Sequence, residues 1–344
     1  MIFLRVFNII VFSLVIGIHN VSASEDQVNI PIDQRRSVEQ TFLTYPEWFL
    51  VHSPAEYAEF VKLHPSHEFP FLGHINQLWS AYRAVTKEQI QNGYDANIGY
   101  HVMICVIVTS TTVEYVFRWV YENTIGRISW ALSSEVQTDE EHYGAKIAQE
   151  YVDFIRKEPW YLFDFSSALT GLWTDTRLSG VNIIRKLERK YALSTEYLIK
   201  AGYAKLIEVA THQAYEPALL TTLVIVDHLP KELPKNVKLL KGETSGAALL
   251  ELPRYYNFRI AATELAETGS KIQNVAGNTT KILVTVWTDG TYQAPIGSRI
   301  LFEQPILTQP RFKRVALIMP VQALSEFLMQ SKKTHLKVEH IYDY

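Results

Sequence analysis

The sequence is poor in the residues from which recognisable active sites are usually built. One cysteine, Cys105, occurs in 344 residues, which excludes an internal disulfide and any metal site made from cysteine alone. It lies in an apolar stretch, where a free thiol behaves as a small hydrophobe rather than an activated nucleophile. No Gly-x-Gly-x-x-Gly, Walker loop, Gly-x-Ser-x-Gly, Ser-x-x-Lys or His-Glu-x-x-His is present, so no motif supports nucleotide binding, serine hydrolysis or zinc peptidase chemistry. The Glu-x-x-His pairs of a di-iron bundle are missing as well. Charge of one sign is also lacking: Lys+Arg 33 against Asp+Glu 36 gives a net −3, and no nucleic-acid partner is expected. Gly 15 and Pro 14 are too few for a collagen-like chain, and 47% hydrophobic residues are too many for a disordered one.

What is present begins with a targeting pattern. Arg5 precedes an apolar run over 6–18, interrupted by Asn8 and Ser13, and Val21-Ser22-Ala23 supplies small residues before a cut. This is the form of a secretory signal cleaved after Ala23, with an uncleaved anchor as the alternative. We expect residues 1–23 to be that signal, residues 24–43 a linker, and the protein to be exported, periplasmic or envelope-associated.

The chain also resembles itself. Residues 55–65 read AEYAEFVKLHP and residues 149–159 read QEYVDFIRKEP. At the same offset of 94, Phe69, Phe71, Leu78, Trp79 and Arg83 match Phe163, Phe165, Leu172, Trp173 and Arg177. At an offset of 82, Glu114, Tyr115, Arg118 and Tyr121 meet Glu196, Tyr197, Lys200 and Tyr203. Two helical repeat units follow from this, 44–130 and 131–212. Helical patterns cover 56–63 and 141–157. Ser53-Pro54 has the form of an N-cap followed by a first-turn proline, and Thr138 with Glu141 that of a capping box. Pro65 and Pro159 should stop their helices, and Glu114/Arg118 and Glu196/Lys200 have ion-pair spacing.

Two segments bear on membranes. Residues 96–113 carry no charge, which reaches the shortest length that spans a bilayer. Arg83 and Lys87 on one side balance Arg118 and Arg127 on the other, so no orientation is favoured. The stretch aligned with it in the second unit, Ile184-Arg-Lys-Leu-Glu-Arg-Lys190, cannot cross a bilayer. A shared fold therefore implies that 98–113 is a helix buried in protein, an anchor being the alternative. Residues 185–205 are basic and adjoin an apolar stripe of Ile199, Tyr203, Leu206, Ile207 and Ala210. Such a helix can lie on anionic headgroups; the competing reading is a solvated face.

Beyond Pro217 the period changes. Residues 219–226 fit a buried strand. Tyr256, Phe258 and Ile260 alternate, as do Ile282, Val284 and Val286, and Asp289-Gly290 has the form of a hairpin turn. Further strands are expected at 299–303, 313–319 and 336–342, with a helix from Pro320 to Gln330. The expected fold is α+β: a duplicated, mainly helical N-terminal domain, then a smaller α+β domain over 217–344 with a mainly antiparallel sheet.

Candidate site residues are few. His64, His67 and Glu68 are the best metal ligands by spacing, but the proline loop that carries them enforces no convergence and surface histidines are the default, so no metal or other cofactor is expected. The expected function is a non-enzymatic envelope protein that binds a partner protein or a lipid surface, the aromatic stretches 44–49 and 160–165 being possible contacts. The alternative is an exported hydrolase or transferase whose site, between the two units, is built from Glu114, Glu196, Arg83 and Arg177. A shared cavity between the two carboxylates would favour it.

Overall fold

The computed structural model describes residues 28–211, 219–242, 246–334 and 336–343, with side chains not described at 208–211. The signal segment 1–23, the Tyr215–Pro217 boundary and Ala210 lie outside these side-chain descriptions. The fold is α+β, with helices first and two antiparallel sheets after them.

The helices are α1 (Gln40–Phe60), α2 (Phe71–Gln91), α3 (Ile98–Tyr121), α4 (Arg127–Ala131), α5 (Asp139–Ile155), α6 (Phe165–Thr174) and α7 (Ile183–Thr211). A π-helical turn, Glu122–Gly126, joins α3 to α4 into one 34-residue rod. The capping box of α5 forms as expected, Thr138 and Glu141 each satisfying the other's backbone N–H. Ser53-Pro54 does not start a helix: α1 begins at Gln40 and runs through Pro46 and Pro54. Packing of Phe42, Tyr45 and Phe49 into the core offsets the lost hydrogen bonds. The helix absorbs residues 40–43 of the expected linker, and Ile30 is buried against sheet residues. Residues 44–49 are likewise core rather than an interaction loop, with Thr44, Tyr45, Pro46, Trp48 and Phe49 all buried.

Several contacts recur between the two aligned sequence segments. Each has helix, 3₁₀ turn, helix, long helix, and the turns Ser66–Glu68 and Trp160–Leu162 stand at the sequence offset. Tyr57 meets Phe69 edge-on at 5.0 Å and Tyr151 meets Phe163 at 5.3 Å. Phe69–Phe71 and Phe163–Phe165 are both 4.9 Å apart. Trp79 Nε1 donates to Thr112 Oγ1 and Trp173 Nε1 to Ser194 Oγ, each at 3.0 Å.

The carboxyl-terminal region holds β1 (Thr221–Val226), β2 (Lys238–Gly242), β3 (Ala248–Pro253), α8 (Tyr256–Glu267), β4 (Ile272–Val275), β5 (Lys281–Thr288), β6 (Arg299–Pro305), β7 (Lys313–Pro320), α9 (Leu324–Lys333) and β8 (Lys337–Tyr342). The sheets run β2-β3-β1-β4 and β6-β7-β5-β8. Both therefore place their second, third, first and fourth strands in that order, with the helix before the last. Even the irregularity repeats, falling between Ile225 and Val226 in one sheet and between Thr285 and Val286 in the other. Two expectations fail here. Tyr256, Phe258 and Ile260 lie on α8, because Phe258, Ala261, Ala262 and Leu265 form a helical face buried in the core. Asp289-Gly290 closes no hairpin, since β5 pairs with β7 and β8 and the next strand, β6, sits beyond β7.

One core joins the two sheets through α8 and α9, with Val224, Leu250, Val284, Leu317 and Phe327 among its members. The other face of the second sheet, at Leu283, Ala316, Ile318 and Tyr342, packs against Phe42, Tyr45 and Phe49 of α1, Leu78 of α2, and Ile104 and Val108 of α3. That sheet is thus buried on both sides, and the helical region is anchored to it.

Candidate functional site

Of the four residues named for an enzymatic site, the structure unites two. Glu114 and Glu196 meet between α3 and α7, with their helical partners crossed over. Arg118 Nη1 lies 3.6 Å from Glu114 and 3.4 Å from Glu196, and Lys200 Nζ lies 2.7 Å from Glu196 and 3.4 Å from Glu114. The bases sit over rings, Arg118 at 4.4 Å from the Tyr57 centroid and Lys200 at 5.3 Å from Tyr151. Burial would raise the Glu196 carboxyl, but Arg118 and Lys200 outweigh it and bring it down to about 2. That group stays ionised at neutral pH and has no proton to give as a general acid. Arg83 and Arg177 do not join it: both are exposed, Arg83 donating to Ser80 and the Arg177 carbonyl accepting from Lys186.

The metal candidates also separate. His64 stacks on Phe60 at 4.6 Å and faces Glu68 at 3.7 Å, whereas His67 turns inward toward Trp130. Among the described residues, no group of three or more His, Cys, Asp or Glu is placed to hold a metal ion.

The basic stretch of α7 is the clearest reversal of expectation. Arg185, Lys186, Arg189 and Lys190 are buried, not spread on headgroups or in water. Arg185 bonds Glu188, Glu141, Ser129 Oγ and the Gly126 carbonyl. Arg189 grips Glu122 with two nitrogens, at 2.9 and 3.2 Å. Lys186 reaches Asp139, and Lys190 the Thr176 hydroxyl and two carbonyls. The π-turn puts Glu122 and Gly126 inside, where these cations find them. Charge placed inside must be paired, and here it is.

With charge inward, the apolar side of the same helices faces out. Along α7, Ile184, Leu187, Tyr191, Leu198, Ile199 and Leu206 are exposed. Along α3 and α4 so are Val102, Val106, Val113, Phe117, Val120 and Ile128, Phe117 by 71%. Within the rod's most apolar window only 17% is buried, which overturns the expectation that 98–113 is enclosed by protein. The pairs Arg118–Glu196 and Arg189–Glu122 set the two helices antiparallel. Phe117 and Leu198 therefore fall at the same level of the two helices, and both are exposed.

No match was found for this chain among protein-family models, curated proteins or solved structures.

Sequence reasoning missed one further cluster, between α1 and the second sheet. Arg314, on β7, bonds Glu56 at 3.0 Å and Glu339 at 2.6 and 2.8 Å. His52 Nδ1 lies 3.4 Å from Glu339, and Trp287 Nε1 donates to that carboxylate at 2.6 Å. Burial drives His52 down to about 3 despite Glu339. The legible signal was Arg314 at the head of the apolar strand sequence Val-Ala-Leu-Ile-Met. Its partners are 25 and 258 positions away, and no spacing rule finds them. The cluster ties α1 to the second sheet.

Proposed function

We propose that this is an envelope-associated binding protein, built on a duplicated helical unit, whose α3–α7 face lies on a lipid surface. The observation that supports the reading is the inverted amphipathicity of those helices. The ionisable groups of α7 from Arg185 to Lys190 are buried inside, and the outer face offers Val, Ile, Leu, Phe and Tyr. Contiguous apolar surface of this kind marks a contact with lipid or protein. Each large apolar side chain taken fully out of water contributes about 1.5–3 kcal/mol. The duplication is supported by the matched ring and indole contacts of the two units, and the export reading by the amino-terminal pattern.

The helices lie along the membrane in this reading and do not cross it. Ile104 and Val108 of α3 pack into the core shared with β5 and β7, and a sheet whose edges are open cannot be carried into hydrocarbon. In-plane helices with a large apolar face bind by area, so anionic lipid is not required for retention.

Flotation with phosphatidylcholine vesicles tests this. The protein should rise with the vesicles, and Phe117→Glu combined with Leu198→Glu should leave it at the bottom with an unchanged circular dichroism spectrum. Wild-type protein that stays at the bottom and elutes as a dimer would assign the face to a second copy instead.

A further inference from the structure

Between α2 and α3 runs an open groove of about 720 Å³, within the size range of small-molecule sites. Its apolar lining comes from Ile90 on α2 and Ile98, Val102 and Val106 on α3, with Cys105 among them. Val102 and Val106 also belong to the exposed side of α3, so the groove adjoins that face. The polar atoms of the wall bond one another. His101 Nε2 donates to Gln89 Oε1 at 2.9 Å, which leaves Nδ1 to accept from the Tyr82 hydroxyl at 2.8 Å. The Tyr82 oxygen is then free to accept from the Cys105 thiol at 3.5 Å. A ligand meets a mainly apolar channel, with the hydroxyl residues Thr86, Thr109 and Ser110 also in its lining.

The groove is polarised along its length. Trp79 of α2 bonds Thr112 of α3, and Gln89 bonds His101, so the two helices are antiparallel. Arg83 is two turns from Ile90 on the same face of α2 and therefore lies toward the Thr109 and Ser110 end of the groove. Lys87 stands one turn along the same rim. Both are exposed, and among the described residues neither has a carboxylate within ion-pair distance. Asp95 stands at the opposite end, beside the Tyr94 and Ala96 lining, while Glu114, one turn past Ser110, is engaged by Arg118 and Lys200. Apolar length, a cationic end and an acidic far end describe an amphiphile with one acyl chain inside and an anionic head beside Arg83.

We propose that this groove takes an acyl chain of a membrane anionic phospholipid, with Arg83 and Lys87 holding the phosphate. The proposal deepens the lipid reading of the α3–α7 face and rests on it for the source of the lipid. Attraction to the two cations adds a preference among lipids to an attachment that area alone supports.

Cys105 lines the groove, is exposed and is the single thiol, so its alkylation rate in the full protein reports occupancy. Lysophosphatidylglycerol, kept monomeric, should slow alkylation saturably, at a concentration roughly tenfold below that needed of lysophosphatidylcholine, the ratio that 1.4 kcal/mol gives. Arg83→Ala with Lys87→Ala should abolish the difference between the two lipids. Ile90→Trp, which fills the channel, should abolish protection by both, and an unchanged melting curve will show that it folds. Equal protection by the two lipids overturns the assignment of the headgroup site. Absence of protection by either, in protein that still floats with phosphatidylcholine vesicles, overturns the groove and leaves the face reading standing. Protection without flotation supports the groove and refutes the face.

Discussion

Replacing Arg314 by methionine isolates the cluster that fastens α1 to the second sheet. The guanidinium is 1% exposed and bonds two carboxylates, Glu56 at 3% and Glu339 at 10%. Arg314→Met leaves both acids buried without their shared cation, and breaking a buried pair in this way costs about 3–5 kcal/mol. Against a typical folding stability of about 5–15 kcal/mol this is a large share. The cost has a sign in pH. In the wild type, burial would raise Glu339, but the Arg314 charge and the hydrogen bonds from Arg314 and Trp287 overcome it and hold the carboxyl far below its usual range. Its contribution is therefore full above the unfolded-state value of about 4.3 and is lost as pH falls below it. In Arg314→Met, Glu339 loses its cation and moves above that value, and Glu56, which burial already raises in the wild type, moves further up. Their penalty is then small at pH 4 and grows toward neutrality. Urea unfolding followed by tryptophan fluorescence measures both stabilities, and Trp287, bonded to Glu339, reports on the cluster itself. The gap between the two proteins should widen from pH 4.5 to pH 7.5. Adding Glu56→Gln and Glu339→Gln to the variant should recover most of the loss, because no unpaired charge remains. A gap under about 1 kcal/mol, or one that does not change with pH, would refute the assignment of these carboxylates as a charge-paired fastening.

Other outcomes are specific enough to check by the same unfolding assay. Thr138→Ala removes one half of the α5 capping box and should cost about 1 kcal/mol. Gly126→Ala places a methyl 2.5 Å from a Glu122 carboxylate oxygen; because Arg189 fixes that oxygen, the variant should lose stability rather than gain the helix propensity of alanine. Glu196, brought down to about 2, contributes stability above about pH 4.5 that fades as pH falls toward 2. Glu196→Gln should be less stable at neutral pH, with a flatter acid limb.

Strands β1 and β5 to β8 and helix α9 could be read from the sequence, since the apolar run of β1, the alternation in β5 and the proline before α9 are local signals, whereas β2, β3, β4 and α8 could not. The α5 cap was legible for the same reason. Side of exposure was not. A charged stretch such as 185–190 reads as surface because burial of charge is costly, and here the cost is met by Glu122, Glu141 and Glu188, which lie 44 or more positions away in two cases and three in the other. An apolar stretch such as 98–113 reads as interior for the converse reason. Among the candidate site residues, Glu114 and Glu196 stand at matching positions of the aligned sequence segments and meet between α3 and α7. Arg83 and Arg177 match in the same alignment and stay apart, both being exposed.

The ionic interior of the α3–α7 layer also has a calorimetric consequence. Heat capacity rises on unfolding as apolar surface becomes wet and falls as polar surface does. Here the apolar side chains of two long helices are wet before unfolding begins, and much of what unfolding uncovers between them is guanidinium, ammonium and carboxylate. The layer therefore adds little to the heat-capacity change of the whole chain, which is carried by the sheets and α1. Its stability curve is flat, so cooling weakens the sheet region's apolar core while the helix pair holds. Under the proposed attachment to lipid, apolar surface would leave water without refolding, and the heat-capacity decrement of binding would measure the area of the face.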